Sequence, residues 1–211
     1  MSVARGSLWV MVALVTGAAV GIGRAIALAL VAEGMDTWLA DVQEPEGPEG
    51  HFVGVDVTDD AALRRLIVEV KPDVLVNNAG GIPVGHSDVE ILDLNLRSAL
   101  VATQLALEHG ARAIVNIASV AGIETIPHRS PAYAAAKAGL IRLTTAYDGP
   151  ARVNCVVPGW IATPRGLREA ATMTDAERAA AGPMVAMDTI TAAVSDLLAD
   201  DTARGRVVVL R

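Results

Sequence analysis

Val10-Met11-Val12-Ala13-Leu14-Val15-Thr16-Gly17-Ala18-Ala19-Val20-Gly21-Ile22-Gly23-Arg24-Ala25-Ile26-Ala27-Leu28 runs from an apolar series through three glycines into apolar residues at helical spacing. A strand of a parallel sheet is covered on both faces, so it reads as an unbroken apolar run rather than an alternation. Gly17, Gly21 and Gly23 permit a tight turn and close backbone approach. The free N–H groups and the dipole at the N-terminus of the following helix attract a pyrophosphate. A glycine turn between strand and helix therefore points to a dinucleotide bound along Gly17, Ala19, Gly21, Ile22 and Gly23.

The same alternation continues outward from this unit. Strand-like runs lie at 37–40, 52–55, 74–76, 113–117, 153–157 and 206–210, and apolar residues at helical spacing fill 21–33, 59–70, 89–108, 131–147 and 187–199. Strands alternating with helices predict an α/β fold, a doubly wound parallel sheet of about seven strands, in one domain spanning 1–211. Gln43-Glu44-Pro45-Glu46-Gly47-Pro48-Glu49-Gly50 opposes a helix, so the crossover helix between the second and third strands is expected to be reduced or absent. Asp41 ends the second strand, where a carboxylate accepts hydrogen bonds from an adenosine ribose diol and repels a 2′-phosphate.

Composition excludes several classes. The formal net charge is -7 and no Lys/Arg cluster offers a basic face, which argues against nucleic acid. Three Trp, two Tyr and one Phe leave little to stack bases on. Cys155 is the single cysteine; it reads as a small buried strand residue, and it fits a reducing, cytoplasmic compartment. Arg5 before the run 8–15 imitates a signal peptide, but Thr16-Gly17 breaks it, so no membrane span is expected. His51, His86 and His109 read as loop or surface residues, and no ligand cluster suggests a metal.

Tyr133 and Lys137 are the most informative pair for chemistry, although a Tyr and a Lys four apart on a helix are by themselves more often neighbours on a solvated face. Pro131 suits a helical first turn and the alanines of Ala134-Ala135-Ala136 favour a helix, whose period brings Tyr133 and Lys137 onto one face. A free phenol titrates near about 10, and moving it to about 7 requires roughly 4 kcal/mol of preferential phenolate stabilisation. One ammonium in water supplies less, so a desolvated pocket is required.

These pieces, taken in order, resemble the short-chain dehydrogenase/reductase family over nearly the whole chain. The resemblance rests on Thr16-Gly17-x-x-x-Gly21-x-Gly23, Asp56-Val57, Asn77-Asn78-Ala79-Gly80, Asn95, Ser119, Tyr133-x-x-x-Lys137 and Pro158-Gly159-Trp160-Ile161-Ala162-Thr163. It implies an NAD-dependent oxidoreductase that moves a hydride between NAD and a secondary alcohol or ketone. On that resemblance Ser119 holds the substrate oxygen and Tyr133 exchanges the proton. Lys137 lowers the phenol pKa and holds the nicotinamide ribose, while Asn95 positions a water. Asp56 and Val57 contact the adenine. Asn78, Ala79 and Gly80 line the cofactor, and Pro158, Gly159, Ile161 and Thr163 surround the nicotinamide, with Thr163 reaching the carboxamide. Asp41, together with Val20 where NADP-preferring relatives often carry a basic residue, implies NAD over NADP. A homodimer or homotetramer is implied as well.

Two other readings accompany this one: a non-catalytic NAD-binding sensor or scaffold, and a nicotinamide-dependent epimerase or dehydratase. Asn77 and Asn78 are expected to serve mainly structure, and Arg24 to approach the pyrophosphate. The segment 163–184 is expected to close over substrate, with Trp160, Met173 and Met184 as apolar contacts and His128 within reach.

Overall fold

The structure, a computed structural model, describes residues 10–125, 128–175 and 182–211. Seven strands form one parallel sheet: β1 (Val12–Thr16), β2 (Asp36–Asp41), β3 (His51–Gly54), β4 (Val74–Asn77), β5 (Ala113–Ile117), β6 (Arg152–Pro158) and β7 (Val207–Leu210). Their order is β3-β2-β1-β4-β5-β6-β7, so the winding reverses at β1 and β4. In such a sheet ligands bind at the C-terminal strand ends beside the reversal.

The helices are α1 (Gly21–Ala32), α2 (Asp60–Val70), α3 (Asp88–Leu92), α4 (Ser98–Glu108), α5 (Pro131–Ala146), α6 (Pro164–Ala171) and α7 (Met187–Ala199). A π-helical turn, Asp93–Arg97, joins α3 to α4. Successive strand residues point to opposite faces, and two large cores result. Ala13, Val15, Leu39 and Val76 meet Ile26 and Leu30 of α1 and Ile190 and Val194 of α7 on one side. Leu14, Ala40, Leu75 and Ile114 meet Leu63 and Ile67 of α2 and Leu105 of α4 on the other. Leu140 of α5 covers Cys155 and Val157, which places the cysteine in the buried strand position expected of it.

β4, β5 and β6 are buried at every position, whereas the edge strand β3 is largely exposed and the edge strand β7 is half-buried. That is why the central strands read as predominantly apolar rather than alternating, with buried polar residues at Asn77, Asn116, Arg152 and Asn154. Between β2 and β3, residues 42–50 form no helix, as the Pro/Gly pattern predicts. Among the described residues no helix is long and apolar enough to cross a membrane, and no group of three or more His, Cys, Asp or Glu side chains is placed to hold a metal.

Candidate active site

The glycine turn is locked to the end of β4. Gly17 and Gly21 have φ of +64° and +60°, which side chains rarely adopt. A Cβ on Gly17 would stand 2.7 Å from the Ala79 Cα, and one on Gly23 would overlap the Gly17 carbonyl. Thr16 Oγ1 accepts from the N–H groups of Asn78 and Ala79, both at 3.1 Å. Asn78 Nδ2 donates to the carbonyls of Thr16 (3.0 Å) and Gly17 (2.8 Å). Asn77 Nδ2 donates to Asn116 Oδ1 at 2.9 Å and Thr103 Oγ1 at 3.0 Å, and Asn116 continues to Thr144 Oγ1 at 2.9 Å. Both asparagines thus join backbone and helices, as their expected structural roles require.

The crevice above this lock suits an anion. No side chain caps α1 and no acidic residue occupies its first turn, so its N-terminus is open to a pyrophosphate. Among the described residues, a Cβ on Gly21 would lie 3.9 Å from Thr163 Cγ2, which brings the turn after β6 across from the glycine turn. Asp41 Oδ2 accepts from Ala19 N–H at 2.8 Å and Oδ1 from Gln43 N–H at 3.1 Å, so its carboxylate sits at the turn itself. Exposed Asp56 accepts from Thr58 N–H and Oγ1–H at 2.9 and 2.7 Å, beside buried Val57. Gly159 N–H donates to Leu210 O at 2.8 Å, tying the end of β6 to β7. The chemistry of this donor set fits a dinucleotide.

Arg24 takes a further role in the fold. Its guanidinium donates to Glu46 O at 2.5 Å and Glu49 Oε2 at 2.7 Å, and so pins the helix-free loop 42–50 to the start of α1. Its partners lie more than twenty residues away in sequence, which no local pattern announces.

Four residues form the proposed chemical centre. Ser130 caps α5, its Oγ accepting Tyr133 N–H at 3.3 Å, with Pro131 in the first turn. Lys137 follows one turn later, 4% exposed, its Nζ 5.6 Å from the Tyr133 ring centroid and donating to Ile117 O at 2.9 Å. Burial pushes its pKa down to about 8, because the charged form loses hydration. Asn95 lies on the π-turn, 1% exposed; its amide accepts from Gly81 N–H (2.8 Å) and donates to the carbonyls of Gly81 (2.8 Å) and Ile91 (2.9 Å). A Cβ on Gly80 would meet Asn95 Oδ1 at 2.6 Å and Lys137 Nζ at 3.2 Å, so both polar ends converge on Gly80. Ser119 opens the 3₁₀ turn Val120–Gly122 after β5, its Oγ accepting from Ala121 N–H at 3.3 Å.

Two further glycines hold these parts in register. A Cβ on Gly122 would stand 2.6 Å from Ala138 N, so the turn bearing Ser119 lies directly on the α5 backbone beside Lys137. A Cβ on Gly139 would stand 2.9 Å from Leu96 Cδ2, which seats α5 on the π-turn bearing Asn95. Nothing in either glycine's sequence neighbourhood signals this. Of the 163–184 segment, 163–175 and 182–184 are described, including α6; 176–181, and with them the expected closure, lie outside the described residues. Trp160 O accepts from Val185 N–H at 2.6 Å, so this segment's end returns to the turn after β6.

The family profile described as short chain dehydrogenase matches residues 11–174. Cyclopentanol dehydrogenase of Comamonas sp. (strain NCIMB 9872) is 36% identical over 186 residues, covering 72% of this chain and 74% of that protein. The 15-hydroxyprostaglandin dehydrogenase [NAD(+)] of Rattus norvegicus is 32% identical over 185 residues, covering 72% and 69%. Among solved structures, the RhlG/NADP active-site complex of Pseudomonas aeruginosa superposes with a TM-score of 0.79 at 25% identity, covering 96% of this chain and 95% of that one. The seven-stranded sheet, the glycine turn at its reversal and the matched span together establish that this chain belongs to the short chain dehydrogenases, oxidoreductases that bind a nicotinamide cofactor and act on CH–OH groups.

Proposed function

We propose that this protein is a single-domain, NAD-dependent enzyme interconverting a secondary alcohol and a ketone, with Tyr133 as its acid–base group. One observation carries the reading: a buried ammonium, Lys137, sits beside a phenol and donates to a backbone carbonyl, Ile117 O. A buried charge that is not ion-paired is costly, and such sites are where chemistry is done.

When bound, the nicotinamide supplies hydride acceptance and donation at the substrate carbon. Gly17, Ala19, Gly21, Ile22 and Gly23 would hold the pyrophosphate, and Asp41 the ribose diol. Asp56 and Val57 would meet the adenine. Asn78, Ala79 and Gly80, with Pro158, Gly159, Ile161 and Thr163, would flank the nicotinamide half. Ser119 Oγ donates to the substrate oxygen. Tyr133, as phenolate, takes the hydroxyl proton in oxidation and returns it in reduction. Lys137 would favour the phenolate and hold the nicotinamide ribose hydroxyls, and Asn95 would position a water linking Lys137 to solvent.

The NAD preference is supported by Asp41, since a desolvated contact between its carboxylate and a 2′-phosphate, at about 2 to 4 kcal/mol, discriminates roughly thirty- to a thousandfold. The lone thiol supports a cytoplasmic setting. Self-association as a dimer or tetramer belongs to the same proposal; the edge strand β7, with Val209 44% exposed, is a surface it would cover, and sedimentation reads it.

The test is a panel of secondary alcohols and ketones, cyclopentanol among them, followed by NADH absorbance. Tyr133→Phe should abolish turnover and leave NAD binding nearly intact. Retention of more than roughly a tenth of the activity, a loss below about 1.4 kcal/mol, would overturn the acid–base assignment.

A further inference from the structure

His128 takes no part in the scheme above, yet it is packed against the group that scheme depends on. Its imidazole stacks on the Tyr133 ring with centroids 5.6 Å apart and 26° between planes. The imidazole is itself anchored: Nδ1 lies 2.9 Å from Ser130 O and 3.1 Å from Ser130 N. The tautomer protonated at Nδ1 donates to that oxygen, and the other accepts that N–H, so the ring is held in either form. Ser130 also caps α5 through Tyr133 N–H at 3.3 Å. One residue therefore fixes both rings, its backbone holding His128 and its side chain the start of the helix under Tyr133.

The helix by itself does not place the phenol oxygen. Backbone and cap determine where the Tyr133 Cβ lies, and the two side-chain torsions beyond it set where the hydroxyl points. The hydroxyl is about 6 Å from Cβ, so a tilt of about 10° displaces it by about 1 Å, enough to degrade proton transfer. Lys137 approaches the ring through a flexible stem, whereas an anchored aromatic ring is a rigid wall.

We propose that His128 is a positioning residue: by stacking, it orients the Tyr133 phenol for proton exchange with the substrate. This rests on the reading of Tyr133 as the acid–base group. It assigns the imidazole a role as a flat ring, not as a proton carrier or substrate ligand.

Three variants separate these roles: His128→Ala, His128→Phe and His128→Gln. Each is assayed with NAD and the alcohol of the panel that wild type oxidises fastest. His128→Ala should lower kcat about three- to tenfold, with KM for the alcohol and Kd for NAD changed less than about twofold. His128→Phe should restore most of kcat, and His128→Gln should not. The chain has only two tyrosines, so ring-¹³C-tyrosine NMR reads Tyr133 without any substrate. Its ring resonances should move on His128→Ala and stay near wild type on His128→Phe.

Rescue by Gln but not Phe, a rise in KM with kcat unchanged, or unmoved Tyr133 resonances in His128→Ala would each overturn the proposal. If Tyr133→Phe keeps its turnover, the acid–base reading is what fails. If Tyr133→Phe is inactive while His128→Ala turns over like wild type, only the role of His128 falls.

Discussion

Lys137→Met should make the cofactor-free protein more stable and its catalysis absent. Burial lowers the Lys137 pKa from 10.5 to about 8, a displacement that corresponds to roughly 3 kcal/mol of penalty on the charged folded form. The folded pKa lies below the unfolded one. The penalty is therefore complete below pH 8 and fades as pH rises toward 10.5. Methionine fills much of the same volume without a charge to desolvate, but it leaves Ile117 O without the 2.9 Å donor, which returns about 1 kcal/mol. The variant should accordingly gain about 2 kcal/mol at pH 7 and lose that advantage by about pH 10. Burial pushes the Cys155 thiol up to about 11, which costs stability between pH 9 and that value, the opposite sign. Measuring both proteins at each pH largely cancels that contribution. Urea unfolding followed by tryptophan fluorescence gives the two free energies, with equal slopes required. A variant less stable than wild type at pH 7, or a gap that does not close with pH, would refute the idea that this ammonium is held at the expense of the fold for the sake of the site.

Asp41→Ser should shrink the NAD/NADP efficiency ratio, partly by improving NADP and partly by weakening NAD, because the Ala19 N–H loses its 2.8 Å acceptor; equal wild-type efficiencies would mean that Asp41 does not face the ribose. Gly122→Ala puts a Cβ 2.6 Å from Ala138 N and should lower kcat at least tenfold, or about 1.4 kcal/mol, with little effect on NAD affinity; unchanged steady-state kinetics would show that the turn bearing Ser119 tolerates displacement from α5. Arg152 is buried and donates to the carbonyls of Leu197 (2.8 Å), Leu198 (2.9 Å) and Asp200 (3.1 Å) at the end of α7, so Arg152→Ala should cost about 3 kcal/mol in urea unfolding, and a loss below about 1 would show that those carbonyls find other donors.

Much of the architecture is determined by the sequence alone. A strand buried on both faces is mostly apolar, so β1, β4, β5 and β6 are visible without any knowledge of their neighbours, although the buried Asn77, Asn116, Arg152 and Asn154 within them find partners that only the tertiary structure brings. Pro45, Gly47, Pro48 and Gly50 forbid a helix wherever the chain takes them, and the missing crossover follows. The pairing of Tyr133 with Lys137 follows from the helical period, and the glycine turn from the conformations that only Gly17 and Gly21 adopt cheaply. Element ends are less legible: β1 begins at Val12 rather than Val10, because pairing with Asp36 of β2 sets where it starts.

What only the tertiary structure decides is everything that depends on distant segments meeting. The strand order puts the glycine turn against Ala79, and the π-turn brings Asn95 to Gly81. Arg24 finds Glu46 and Glu49 across an open loop, and Gly122 and Gly139 matter only because α5 happens to lie against them. The depressed pKa of Lys137 is of the same kind. An isolated α5 would leave that ammonium in water; it is the packing of the sheet and the turn after β5 that strips its hydration and gives a lysine four residues from a tyrosine its chemical consequence.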